Sequence, residues 1–96
     1  MKLFSPHAKI LCFLYNSSNR NNFSISELSG VILCNYFMTD NVINELNREK
    51  YITIVKKYPD KDDCSDSYNY KLFLTEKGKV IGENLCRITK IIQSFS

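Results

Sequence analysis

Apolar positions in the first half of the chain recur at the three- and four-residue spacing of α-helices. The first such segment, 6–16, follows Ser5, a preferred N-cap residue, and has Pro6 at its first helical position. The segment is apolar nearly all round, a pattern typical of a helix that is buried on two sides. We expect one side to face the chain's own core and the other to contact a second copy of the chain.

Segment 24–49 predicts two more helices that are separated by a short turn near Cys34. Ser24 and Glu27 have the spacing of a capping box, which marks the start of the first of these helices. Phe23 precedes the cap, and we expect it in either a short strand or a hydrophobic staple. Two helices joined in this way are the pattern of a helix-turn-helix.

The second of these helices, 36–49, has one apolar face and one polar face. Its outward face is expected to carry Met38, Asn41, Asn44, Glu45 and Arg48. Asparagine can pair with the edge of adenine, and arginine with guanine or phosphate, so this face suits DNA. The alternative is a solvated helix face in an asparagine-rich protein. We interpret Tyr36, Phe37 and Met38, at the helix start, as core and turn packing rather than base contacts.

The second half of the chain changes to the two-residue period of β-strands and then returns to a helix. Segments 51–57 and 69–74 predict two strands, which a polar loop joins into a hairpin. Thr75 can act as the N-cap of a last helix, 76–95. The apolar positions of that helix follow a heptad spacing and are Ile81, Leu85, Ile88, Ile92 and Phe95. Such a stripe can dock on the domain or pair with a twin helix.

This order of elements, with the sequence Leu-Thr-Glu-Lys-Gly beginning at Leu74, resembles the back half of MarR and PadR-like winged-helix transcription regulators. In size and layout the chain is similar to the small stand-alone winged-helix proteins of archaeal viruses and plasmids. The resemblance implies an α+β fold, a single winged helix-turn-helix domain over 1–96. It would have a three-helix core, a two-stranded wing over 51–74 and a long C-terminal dimerisation helix. Lys50 stands where the family usually has glycine, a position that often needs positive φ.

The resemblance implies sequence-specific binding of double-stranded DNA by a homodimer that regulates transcription. The recognition helix would enter the major groove, and three lysines of the wing would hold the backbone: Lys56, Lys57 and Lys61. Phe13 and Leu14 of the first helix would join the heptad stripe in the dimer contact. A winged helix that binds proteins, such as an assembly module, is the alternative.

The charge distribution supports that alternative. The net charge of the 96 residues is only +3. Four aspartates crowd the expected wing loop and would repel phosphate: Asp60, Asp62, Asp63 and Asp66. Many DNA-binding domains are more basic on the face that contacts DNA.

Four cysteines, Cys12, Cys34, Cys64 and Cys86, show no Cys-x-x-Cys spacing, and His7 is the only histidine. The sequence therefore predicts no metal site. Cys12 and Cys86 are expected to be buried free thiols. Any disulfide is expected to involve Cys64 or to link cysteines within one subunit.

The sequence has no residue pattern typical of an enzyme or a cofactor-binding protein. It has no Ser-His-Asp set, no paired carboxylates near a histidine and no glycine-rich phosphate loop. We therefore expect no enzyme activity, no cofactor and no small-molecule ligand. No apolar run approaches the ~20 residues of a membrane span, and a signal-peptide h-region is missing. An intracellular, cytoplasmic protein is expected, in the host cytoplasm if the source is viral. Gly78 and Gly82 either allow another backbone to approach closely or simply weaken the start of the last helix.

Overall fold

Helices and an antiparallel sheet share one core in the computed structural model, which describes residues 5–59 and 68–94. The elements are α1 Pro6–Asn16, β1 Asn22–Ser24, α2 Ile25–Ile32, α3 Tyr36–Arg48, β2 Ile52–Pro59, β3 Tyr68–Leu74 and α4 Glu76–Ser94. This is the expected α+β winged helix with a long C-terminal helix. Phe95 and Lys61 lie outside the described residues, as do Cys64 and the four aspartates of the wing loop.

The helix starts are fixed by side-chain caps. The Ser5 hydroxyl accepts from the Ala8 amide at 3.2 Å, and the Ser24 hydroxyl accepts from the Glu27 amide at 3.0 Å. The Thr75 hydroxyl accepts from the Gly78 amide at 3.1 Å. The three caps predicted from the sequence are therefore present, and each satisfies a backbone N–H that the helix itself leaves unpaired.

The described sheet has three strands in the order β1-β3-β2: the two predicted for the wing, β2 and β3, and the short β1. Phe23 pairs with Tyr70 across β1 and β3, and both side chains are fully buried. Phe23 therefore lies in a short strand, which was one of its two predicted alternatives. The wing strands also extend further than predicted, to Pro59 and from Tyr68.

A β-bulge in β2 changes which side of the hairpin its lysines occupy. The register shifts between Ile54, which pairs with Leu72, and Lys56, which pairs with Lys71. The extra residue, Val55, places Lys57 opposite the buried Tyr70. Directly paired residues share a face of the sheet, so the bulge turns Lys57 toward α3 and leaves Lys56 on the opposite face.

Buried apolar side chains and a buried hydrogen bond hold α2 against α3. The buried apolar side chains of the core include Ile10, Leu11, Leu14, Ile25, Leu28, Ile32, Val42, Ile43, Leu46, Ile52 and Leu72. Between the two helices, the Ser29 hydroxyl donates to the Thr39 hydroxyl at 2.9 Å, and Thr39 donates to the Asn35 carbonyl at 2.8 Å. A buried hydrogen bond that satisfies both side chains holds the helix-turn-helix without an unpaired polar group.

The junction between α3 and α4 depends on a strained lysine and a glycine. Lys50 has φ 66°, the positive value predicted for it from the glycine usual at this position in the family. Its carbonyl accepts from the Thr75 hydroxyl at 2.5 Å. A Cβ on Gly78 would lie 1.9 Å from the Tyr51 carbonyl oxygen, and one on Gly82 would lie 3.1 Å from the Leu11 carbonyl oxygen. Both glycines therefore allow close backbone approach, which was the first of the two alternatives.

Helices α1 and α4 are joined by a disulfide between Cys12 and Cys86, whose Cα atoms are 5.5 Å apart. The prediction that both cysteines are free thiols is wrong, because packing at Gly82 brings the two helices close enough for a bond. The bridge does link cysteines within one subunit, as expected of any disulfide. In the described residues Cys34 is the free cysteine.

Candidate nucleic-acid interface

Helix α3 buries one face and leaves the other open. Thr39, Val42, Ile43 and Leu46 form its buried face. At the helix start, Phe37 is 73% exposed and Met38 is 48% exposed, and Tyr36 is 37% exposed. The interpretation of Phe37 as core packing is therefore wrong. The buried face of α3 begins at Thr39.

Two of the polar residues expected to contact DNA already have partners within the chain. The Asn44 amide donates to Asp40 Oδ2 at 3.1 Å. Glu45 Oε2 lies 2.6 Å from His7 Nε2 at the start of α1. Glu45 therefore ties α3 to α1, and its negative charge is not directed at a ligand.

Asn41 and Arg48 are the uncommitted polar residues of this face. Within the described part of the chain, neither side chain has a hydrogen bond or an ion pair. Arg48 is exposed and Asn41 is half-buried. An amide and a guanidinium that are free to take new partners suit base edges or phosphates.

Asp40 connects α3 with the wing. Its Oδ1 accepts from Lys57 Nζ at 3.2 Å and from the Tyr70 hydroxyl. Burial alone would raise the pKa of Asp40, but hydrogen bonds from Tyr70 and Lys57 outweigh it, and the pKa is lowered. Burial and the Asp40 carboxylate raise the pKa of Tyr70, so its hydroxyl stays protonated as a donor. Sequence reasoning missed this cluster because Asp40 and Tyr70 are 30 positions apart.

The wing lysines are placed differently from one another. Lys57 Nζ sits over the Tyr68 ring, 4.1 Å from its centroid, as well as on Asp40. Lys56 is exposed on the opposite face, and its Nζ lies 5.4 Å from the centroid of the Tyr58 ring. Of these two described lysines, Lys56 is open to a phosphate without losing an ion pair.

The residues expected in a dimer contact divide into two groups. Leu14 is 3% exposed, and Phe13, Ile81 and Leu85 pack against the chain's own core. Ile88 and Ile92 stay 45% and 41% exposed, and the neighbouring Ile91 is 52% exposed. The second half of α4 thus carries apolar surface that the described part of the chain leaves exposed.

Two features are absent from the residues that the structure describes: a membrane-spanning helix and a metal-binding cluster. None of their helices is long and apolar enough to cross a membrane. No group of three or more His, Cys, Asp or Glu side chains in these residues is placed to hold a metal ion.

Comparison with known proteins gives matches in structure but not in sequence. No family model and no curated protein sequence matches the chain. Heme-free PefR is similar, with TM-score 0.69 and 20% identity over 94% of this chain and 72% of PefR. MepR of Staphylococcus aureus in its DNA-binding conformation has TM-score 0.68 and 19% identity over 95% of this chain and 61% of MepR.

A third match is the heme sensor protein PefR from Streptococcus agalactiae in complex with heme, with TM-score 0.64 and 22% identity. The match covers 97% of this chain and 58% of heme-bound PefR. The chain thus spans less than two thirds of MepR and of heme-bound PefR. At these identities the likeness establishes the fold alone, a winged helix. The similarity to archaeal viral proteins stays a prediction.

Proposed function

We propose that this chain binds double-stranded DNA sequence-specifically and regulates transcription. The observation that supports this most is the exposed side of α3, where Asn41 and Arg48 have no partners within the described chain. In a winged helix this side can enter a major groove about 12 Å wide. The structural neighbours include MepR, a transcription regulator that is described in a DNA-binding conformation.

The Asp40–Lys57–Tyr70 cluster supports the proposal by fixing the wing relative to α3. A recognition helix and a wing that contact one duplex must keep a constant separation, since phosphate contacts set the register of base contacts. The bond from Asp40 to Lys57 joins the two elements at 3.2 Å. The same bond neutralises one acidic charge on α3, which lowers the electrostatic cost of approaching phosphate.

We also propose that two chains pair through the second half of α4. Ile88, Ile91 and Ile92 are exposed there on the last turns of the helix. A parallel or antiparallel pair of such helices would bury this surface. A two-fold dimer would place two α3 helices on a roughly palindromic site.

Fluorescence anisotropy with labelled duplexes tests the DNA proposal. Arg48→Ala should weaken binding to all sequences and reduce the salt slope by about one unit. Asn41→Ala removes the uncommitted amide of this face and should cost about 1–3 kcal/mol on the preferred sequence and relax preference at one base pair. Lys90→Ala is the matched control, because it removes an exposed positive charge from α4, away from α3.

A second candidate is a winged helix that binds another protein. The exposed Phe37 and the acidic Glu49, the exposed residue that caps the end of α3, favour it. If the wild type binds no duplex at low salt, this candidate replaces the first. If Arg48→Ala and Asn41→Ala both bind as the wild type does, α3 is not the DNA-contacting element.

A further inference from the structure

The start of α3 carries an exposed apolar surface, which we call the apolar end: Leu33, Phe37 and Met38. Their exposed fractions are 85%, 73% and 48%. Leu33 closes α2 in a left-handed conformation with φ 56°, a position where glycine or asparagine is usual. A leucine that is 85% exposed buries little apolar surface to offset a strained backbone, and such a position is a candidate for a binding role.

Phe37 lies on the same face of α3 as the polar residues proposed to contact DNA, at the N-terminal end of that face. Phe37, Asn41, Asn44 and Arg48 follow one another at spacings of four, three and four residues. Residues at these spacings lie on one helix face. A groove that receives Asn41 and Arg48 therefore also receives Phe37, one turn nearer the helix start.

The start of α3 is not built to bind an anion. The Asn35 side chain accepts from the Met38 amide at 2.8 Å, and the Thr39 amide donates to the Asn35 carbonyl. Two of the amides at this helix end are thus already used. What the helix start offers a partner is aromatic and aliphatic surface.

The chemistry of the major groove contains one apolar group that fits such a surface. All other base edges there present hydrogen-bond donors or acceptors, whereas thymine presents its C5-methyl group. Residues near the start of a recognition helix are those that contact base edges. The free guanidinium of Arg48 on the same face supplies the charge that holds a polyanion.

We infer that Phe37 determines specificity by packing against the C5-methyl group of a thymine, with Leu33 and Met38 beside it. The inference rests on the proposed function and deepens it, since it names the base that the apolar end contacts. The preferred site therefore contains a thymine that the helix start faces. Removing its methyl group lowers affinity about fourfold, the effect of one buried carbon at ~0.8 kcal/mol.

The test begins with a duplex that the wild type enriches from a random-sequence library. Each thymine of that duplex is replaced in turn by deoxyuridine, which lacks only the methyl group. We expect one replacement per half-site to weaken wild-type binding about fourfold. Phe37→Ala should bind the thymine and deoxyuridine duplexes equally, whereas Phe73→Ala, an exposed phenylalanine on β3, should discriminate as the wild type does.

The outcomes separate the two levels of the proposal. Equal wild-type affinity for every thymine and deoxyuridine duplex overturns the inference and leaves DNA binding intact. Undiminished discrimination by Phe37→Ala also overturns it. Absence of any duplex binding by the wild type instead refutes the proposed function itself. The deoxyuridine series uses unmodified protein, so it does not depend on how the variant folds.

Discussion

At the residue scale, the backbone is constrained most where α4 passes the end of α3. Gly78 lies against the Tyr51 carbonyl, and the Thr75 hydroxyl bonds both the Lys50 and Tyr51 carbonyls. Lys50 keeps a positive φ there although it has a side chain. This junction orients the start of α4 relative to α3, so single-residue changes here act on the whole domain.

Gly78→Ala should lower the free energy of unfolding by about 3 kcal/mol or more, because a Cβ placed 1.9 Å from a backbone oxygen forces the helix to shift. Gly30→Ala on α2 is the control, since nothing lies within 4 Å of its added Cβ. The control should stabilise the protein by roughly 0.5–1 kcal/mol. Urea unfolding measures both. Equal effects of the two substitutions would contradict the close approach at Tyr51.

The Asp40 carboxylate makes stability depend on acidic pH. Its pKa in the folded chain is lowered, so its stabilisation is complete above the ordinary value of 3.8 and is lost as the pH falls through the lower folded value. Asp40→Asn should cost about 1–3 kcal/mol near neutral pH, the range for hydrogen bonds to a charged group. The difference from the wild type should shrink below pH 3.8.

Urea unfolding of both proteins over an acidic pH series measures this change. Glu76→Gln serves as the control, because its side chain is 93% exposed. A constant difference between Asp40→Asn and the wild type across the series would show that charge on Asp40 does not matter. A large effect of Glu76→Gln would show that unfolding stability responds to the loss of any carboxylate and not specifically to that of Asp40.

At the element scale, α4 is held to the domain by its own first half and by the disulfide. Ile81 and Leu85 pack on the core, and Gly82 lets α1 approach. Beyond Cys86 the apolar side chains at positions 88, 91 and 92 are exposed. The bridge is therefore the last strong contact before the surface that we assign to a second chain.

Replacing Cys12 and Cys86 together by serine should lower the free energy of unfolding by about 2–4 kcal/mol, because the bridge closes a long loop in the unfolded chain. The bonded cysteines are 74 positions apart. Urea unfolding with and without reductant checks this. Reductant should lower the free energy of unfolding of the wild type, whereas it should not change that of the double variant. Cys34→Ser, at the free cysteine, should keep the reductant effect. A wild type indifferent to reductant would argue against the bridge in solution.

At the scale of the whole molecule, the two proposed contacts lie on different elements. The α3 side carries Arg48 and the apolar end, and the α4 side carries isoleucines. If two chains join through α4, their α3 helices are brought to one duplex together. Affinity for DNA then depends on dimerisation even though no residue of α4 need touch DNA.

Ile88→Asp should convert a dimer into a monomer, since it places a charge among apolar side chains that each contribute roughly 1.5–3 kcal/mol when buried. Light scattering at micromolar concentration measures the mass. Lys90→Asp places the same carboxylate side chain on another side of the same helix and should leave the dimer intact. A wild-type monomer would refute the proposed pairing outright.

The local order of elements was determined by the sequence alone. Alternating apolar residues, helical spacing and capping side chains act over a few positions, so they specify helices, strands and the caps at Ser5, Ser24 and Thr75 without reference to distant parts. The lysine at position 50 could also be placed at positive φ, because the resemblance to a family with glycine there carries that geometry.

Tertiary structure alone decided which distant residues meet. Cys12 and Cys86, Asp40 and Tyr70, and Phe23 and Tyr70 are each separated by 30 or more positions, and no local spacing relates them. The bulge at Val55, which turns Lys57 toward α3, depends on how β2 pairs with β3. The exposure of Phe37 could not be predicted from the sequence either. An apolar residue on a helix shows the same local pattern whether the core or solvent covers it. Burial depends on the packing of the whole chain, and periodicity reports only the direction in which a side chain points.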